Sequence, residues 1–147
     1  MAWTIDDYLK WGGEENRHRV YIGLPWYGRE WTVANAAVPG QSLGKSNAVI
    51  FTTAKKQAAQ KGKQYDNDSE TAYYHINHDD ALWQVWFDDR TSFDAKVAYV
   101  VEKDLGGIGI WALGYDGGDD DMWDGIANNM VGDDPGPGPD PGPGWRR

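Results

Sequence analysis

Apolar and polar positions alternate along this chain with two distinct periods, and the changes of period mark its elements. In "TIDDYLKWGGEE", Ile5, Tyr8, Leu9 and Trp11 fall on one face at helical spacing. This predicts a helix capped by Thr4, with Asp6 and Asp7 at its positive end and Gly12-Gly13 as its stop. "RVYIGLP" is a nearly continuous apolar run closed by proline, the pattern of a strand buried on both faces of a parallel sheet. From about residue 31 to 89 the texture changes. A helix is predicted from Phe51 to Lys61 with Gly62 as its stop, then strands in "QYDNDSETAYYHIN" and "LWQVWFDD" joined by a turn at "NHDDA". Beyond it, Phe93, Val97, Val100 and Val101 recur at helical spacing, with Ser92 or Thr91 placed to cap that helix and Gly106-Gly107 to end it. "GIGIWALG" reads as a second buried strand. "DMWDGIANNMV" reads as a short last helix with Met122, Trp123, Ile126 and Met130 along one side.

Strand, insert, helix, strand and helix in that order predict an α/β fold with parallel strands joined by a right-handed crossover, interrupted by a small α+β insert. Beyond Gly132, "DDPGPGPDPGPGWRR" alternates proline and glycine, which supports neither a helix nor a sheet ladder. The segment 132–147 is therefore expected to be a disordered, solvated linker of the kind that leads to further chain.

Composition narrows the partners. With 147 residues the chain has the length of one domain or a piece of a larger one. A formal net charge of -9 argues against nucleic acid and against an anionic membrane surface, both of which require a cationic footprint. There is no cysteine, so disulfides and thiolate metal sites are excluded. No basic head precedes an apolar core at the N-terminus, so no signal peptide is visible. Nine tryptophans and eight tyrosines against three phenylalanines favour flat faces with polar handles, which suit a sugar ring as well as an ordinary core.

Other chemistries find little support. His18, His75 and His78 are scattered, with no clustered ligands around them, so neither a metal nor another cofactor is expected. "GQSLGKSN" contains Gly-Lys-Ser, but a phosphate loop needs its first glycine where Pro39 stands. Asp119, Asp121 and Asp124 open like a calcium loop, yet Trp123 occupies a ligand position and the distal glutamate is missing.

Several separated segments carry a family likeness together. "YIGLPWYGREWT" resembles the seventh barrel strand of glycoside hydrolase family 18, the chitinase-like (β/α)8 enzymes. "QYDNDSETAYYH" and "QVWFDDRTSFDAKVAYVVEKDLGGIGIWALGYDG" resemble its insertion domain, seventh helix and eighth strand. The likeness is collinear over about residues 3 to 131. It implies a partial (β/α)8 barrel, about strands 7 and 8 with flanking helices, over 1–30 and 87–131, with a chitinase insertion domain over 31–86. The family uses a glutamic acid at the end of a D-x-x-D-x-D-x-E run, which protonates the leaving oxygen while the substrate's N-acetyl carbonyl attacks the anomeric carbon. Asp116, Asp119 and Asp121 reproduce the aspartate spacing, but Trp123 stands at the glutamate's place and the run follows the eighth strand, where the family's run follows the fourth. The match of spacing is therefore read as coincidence, the aspartates serving to cap the last helix.

By resemblance, Trp111 forms the floor under the sugar at the cleavage point, and Tyr27 and Arg29 reach substrate hydroxyls or the acetamido group; none of them is a catalytic residue. A core tryptophan is the competing reading for Trp111, and a structural ion pair with Asp88 for Arg29. Trp26 and Trp31 are candidates for added stacking or for packing. Of Tyr73, Tyr74, Trp83 and Trp86, alternate members are expected to face the cleft and the insert's own core. The implied partner is chitin or an N-acetylglucosamine oligosaccharide, together with the barrel half that carries the acid; the implied setting is extracellular. The alternative is a carbohydrate-binding or interaction protein that has dispensed with the chemistry.

Overall fold

A computed structural model describes residues 1–131. The expected linker over 132–147 lies outside the described residues. Helix α1 (Ala2–Gly12) buries Ile5 and Leu9 and ends where Gly13 turns to φ 88°, its N–H donating to the Leu9 carbonyl at 2.9 Å. Thr4 does not cap it. The Thr4 and Ile5 N–H groups both donate to the Met1 carbonyl, so Met1 takes the cap position and Thr4 lies within the first turn.

Strand β1 (Tyr21–Pro25) and strand β7 (Gly107–Trp111) pair in parallel, from Tyr21↔Gly107 to Pro25↔Trp111. Neither is buried on both faces as expected: Leu24 is enclosed, whereas Tyr21 and Trp111 stand exposed. The reason is that β1 and β7 form a two-stranded sheet, with no third strand beside either among the described residues.

Between them lies a five-stranded antiparallel sheet in the order β3-β2-β6-β5-β4. Its strands are β2 (Tyr27–Thr32), β3 (Asn47–Ile50), β4 (Gln64–Asp66), β5 (Thr71–His78) and β6 (Ala81–Phe87). The residue-31 boundary expected for the insert falls inside β2. Close approach fixes glycine at position 28: a Cβ there would meet the Trp86 carbonyl oxygen at 2.7 Å and the Phe87 Cβ at 2.9 Å. The β5–β6 hairpin turns on Asp79 and Asp80, both at positive φ, the geometry of a tight two-residue turn. Helix α2 (Phe51–Lys61) ends at a left-handed Gly62 and lays Phe51, Ala54 and Ala58 into the core.

Helix α3 (Arg90–Glu102) is capped by Asp89 and not by Thr91 or Ser92. The Asp89 Oδ1 accepts the Ser92 N–H at 3.0 Å, while the Ser92 hydroxyl accepts the Ala72 N–H from β5. Helix α4 (Asp121–Ile126) continues in wider turns to Val131. Its apolar side is only partly used, since Met122 is buried whereas Trp123 and Met130 remain exposed. One core joins all these parts, drawing Leu24, Trp26, Phe51, Tyr74, Phe87, Phe93 and Met122 together.

Candidate functional site

The parallel register brings the two strand ends side by side. Trp111 closes β7 opposite Pro25, and the Trp26 N–H donates to the Trp111 carbonyl at 2.7 Å. The backbone of Trp111 is thereby fixed while its side chain stays free, with 69% of the residue exposed. Two residues after Pro25, β2 begins, and its alternation turns Tyr27, Arg29 and Trp31 to one face.

These three residues line a cavity of about 220 Å³ with Thr71, Trp86, Asp88 and Lys96. Arg29 is exposed and forms no ion pair among the described residues. The carboxylate read as its competitor is engaged elsewhere: Asp88 accepts from the Lys96 ammonium. Burial pushes the Asp88 carboxyl above its usual range against the pull of Lys96, and its Oδ2 has no partner among the described residues.

Trp26 does not belong with them. It has 0% exposure and meets the Trp123 ring edge to face at 4.9 Å, so it has no surface on which a sugar could stack. On the sheet beyond, Tyr73 and Trp86 pair across strands and stack at 4.8 Å, whereas Tyr74 turns to the core and donates its hydroxyl to Gln57 Oε1. Trp83, on the opposite face from Trp86, donates its indole N–H to the His78 carbonyl.

The aspartates after β7 are occupied with structure. Asp116 accepts the Gly114 N–H and the Trp123 indole N–H. Asp119 accepts the Asp121 N–H at 3.0 Å, at the first turn of α4, and both Asp119 and Asp121 accept from the Lys55 ammonium of α2. Burial works against charge at Lys55, but these hydrogen bonds and charges outweigh it and raise its pKa. At Asp119 burial likewise opposes ionisation, and the bonds from Lys55 and the Asp121 N–H hold its carboxyl below the usual range. The group clamps α2 of the insert to the start of α4. Among the described residues no three His, Asp or Glu side chains converge as metal ligands, and no helix is long and apolar enough to cross a membrane.

A larger groove, of about 630 Å³, lies farther along the same face, where Trp31 and Trp86 meet Asp66, Asp68, Ser69, Thr71 and Gln84. Sequence reading missed these polar members. A signal was available: Asp66, Asp68 and Glu70 repeat the last three acids of the D-x-x-D-x-D-x-E spacing, with Lys63 in place of the first. The structure puts them at the end of β4, in the turn to β5, and not at a parallel strand end. Asp66 is engaged there with the Ser69 N–H and hydroxyl.

Comparison with known proteins agrees with this architecture. Human di-N-acetylchitobiase is 32% identical over 133 residues, which cover 76% of this chain and 34% of that protein. The spore cortex-lytic enzyme of Bacillus megaterium QM B1551 superimposes with a TM-score of 0.66 at 26% identity, over 85% of this chain and 29% of that one. The family 18 chitinase of Cycas revoluta, solved in complex with (GlcNAc)4, reaches a TM-score of 0.72 at 23% identity, over 85% of this chain and 36% of that one, a likeness of fold. The chain spans between 20% and 36% of the length of the curated relatives it matches. The model of the family described as glycosyl hydrolases family 18 matches residues 1–116 of the 147, and the chain belongs to that family.

Proposed function

We propose that this chain is the C-terminal part of a chitinase-like (β/α)8 glycosidase, with β1 and β7 as its seventh and eighth barrel strands and residues 31–86 as an insertion domain walling the cleft. The substrate is a β-1,4 N-acetylglucosamine-containing polysaccharide, met outside the cell. The observation that carries this reading is Trp111: a tryptophan 69% exposed at the C-terminal end of a parallel strand, the end at which barrel active sites lie. Its indole offers a flat face to a sugar ring. Tyr27 and Arg29, just past the end of the paired strand, supply a hydroxyl and five N–H donors for sugar oxygens.

The full D-x-x-D-x-D-x-E spacing occurs nowhere in these 147 residues. The chain therefore holds substrate, and a polypeptide bearing the remaining strands provides the acid for the retaining, substrate-assisted cleavage. Calorimetric titration of N-acetylglucosamine oligomers, run beside a reducing-end assay, tests this. Binding that falls about tenfold in Trp111→Ala, with no hydrolysis by the chain alone, is expected. Binding unchanged by Trp111→Ala would remove the reading, and hydrolysis by the chain alone would locate an acid within it. The companion reading, a binding protein without chemistry, shares the titration result and is separated by adding the missing strands in trans. Restored cleavage identifies the enzyme.

A further inference from the structure

The groove on the open face of the five-stranded sheet has a floor, a fixed wall and a charged rim, and together they specify more than a neutral sugar. Cross-strand register sets the floor. Arg29 and Tyr73 both pair with Trp86, and Trp31 pairs with Gln84, so all these side chains share one face. Tyr73 stacks against Trp86, whose indole N–H donates to Gln84 Oε1 at 2.9 Å, and this holds the ring in place. Gln84, 2% exposed, also anchors the wall: its Oε1 accepts the Gly40 N–H and its Nε2 donates to the Ala37 carbonyl. The groove is thus built in advance, and its volume of about 630 Å³ is that of a small-ligand site.

The rim is acidic and unopposed. Asp66 and Asp68 line the groove and, among the described residues, no lysine or arginine does. Asp66 uses its Oδ2 on Ser69, leaving Oδ1 without a partner among the described residues, and Asp68 is exposed and forms no ion pair among them. An acetamido group gives two carboxylates nothing to neutralise. An ammonium at the same sugar carbon meets them directly, and over an indole face it gains a cation–π interaction as well.

We propose that this groove binds a de-N-acetylated amino-sugar unit, its ring on Trp31 and Trp86 and its ammonium at Asp66 and Asp68. The inference rests on the carbohydrate reading above and adds a preference to it. The smaller cavity shares Trp31, Thr71 and Trp86 with the groove and carries Arg29 at its far side. A glycan crossing both therefore meets a cation at one end and two carboxylates at the other. The free amine is directed to the Asp66 end and an acetylated unit to the Arg29 end.

The test compares two β-1,4-linked glucosamine oligomers of equal length, one fully N-acetylated and one fully de-N-acetylated, in mildly acidic buffer. They are titrated into the full chain with the tryptophan indole N–H signals followed by NMR. The de-N-acetylated oligomer is expected to bind about fivefold more tightly, to move the Trp31 and Trp86 signals, and to lose that advantage in the Asp66→Asn/Asp68→Asn double variant. Equal or weaker binding, or an advantage that survives the double variant, would overturn the proposal. So would an equal response to putrescine, which would make the groove a general cation trap. The indole signals separate the two readings. Acetylated oligomer moving Trp111 while neither ligand moves Trp31 or Trp86 leaves the family reading intact and removes the groove. Amino-sugar binding at Trp31 and Trp86 with Trp111 silent does the reverse.

Discussion

The five-stranded antiparallel sheet and the two-stranded parallel sheet treat their faces and edges in opposite ways. The first is bounded by short strands, β3 and β4, and its covered face supplies Tyr74, Val85 and Phe87 to the core beneath α2. Short edge strands limit the pairing surface offered to other chains. The second leaves the outer edges of β1 and β7 unpaired among the described residues, with Tyr21 and Trp111 exposed; Trp3 and Trp11 of α1 are exposed as well. The antiparallel sheet closes largely through a hairpin and one helix nearby in sequence, so it satisfies its own ladder. The parallel pair joins residues that are far apart in sequence, and it leaves Tyr21 and Trp111 exposed.

The strongest way to break this contrast is Phe87→Ala. Phe87 is buried between Phe51 and Tyr74 at the end of β6, and truncation is expected to cost about 3–5 kcal/mol, read from urea unfolding. A loss below about 1 kcal/mol would show that the antiparallel sheet does not carry the stability assigned to it.

Gly28→Ala comes next. The added methyl meets backbone and Cβ atoms of β6 that have no rotamer to change, so a loss of about 1–3 kcal/mol is expected, with the β2–β6 amides exchanging faster.

Asp89→Ala removes the cap of α3 and the ion pair with Lys63, and about 1–2 kcal/mol is expected at neutral pH. The pH dependence sharpens it. Burial raises the Asp89 pKa, but the bonds from Lys63 and Ser92 prevail and hold its carboxyl below the usual range. Its contribution is therefore present above an unfolded value of about 3.9 and is lost as pH falls through the lower folded value. Asp88, raised by burial, runs the other way: its part of the stability increases as pH falls through its folded value toward the unfolded one. Unfolding measured from neutral pH into acid should show a flatter loss in Asp89→Ala and a steeper one in Asp88→Asn than in the parent chain.

The smallest stability effect belongs to Trp111→Ala, expected within about 0.5 kcal/mol because the side chain is exposed. On the proposed function, its effect on oligosaccharide binding is expected to be the large one, about tenfold. A substitution neutral for folding and severe for binding is the signature of a residue held for recognition, and a large fall in melting temperature would show Trp111 to be packing instead.

How far the sequence could be read varies with how local each signal is. Helix α2 was legible, since Gly62 supplies the left-handed stop that the sequence reading placed after Lys61. The β5–β6 hairpin was legible from its turn. Strands β2 and β3 were not, because "YGREWT" and "NAVI" carry little alternation and take their strand form from pairing with each other across the intervening loop and, for β2, with β6. The cap of α3 was misplaced for a similar reason: Asp89, Thr91 and Ser92 are all able to cap, and the helix start is set by Lys63, between α2 and β4, and by Ala72 of β5, which hold Asp89 and Ser92 from distant parts of the chain.

The site divides along the same line. The order of elements followed from periodicity, and the family and the candidates Trp111, Tyr27, Arg29 and Trp31 were named by the resemblance of separated motifs; both signals lie in short stretches of neighbouring residues. The fate of each tryptophan could not. Trp26 and Trp31 are the same residue type five positions apart, yet one is sealed in the core and the other lines a groove. That difference, and the meeting of Asp66 and Asp68 with Trp31 and Trp86, was decided only when β2, β6 and β5 paired, since the register of distant strands determines which face of the sheet each side chain shares.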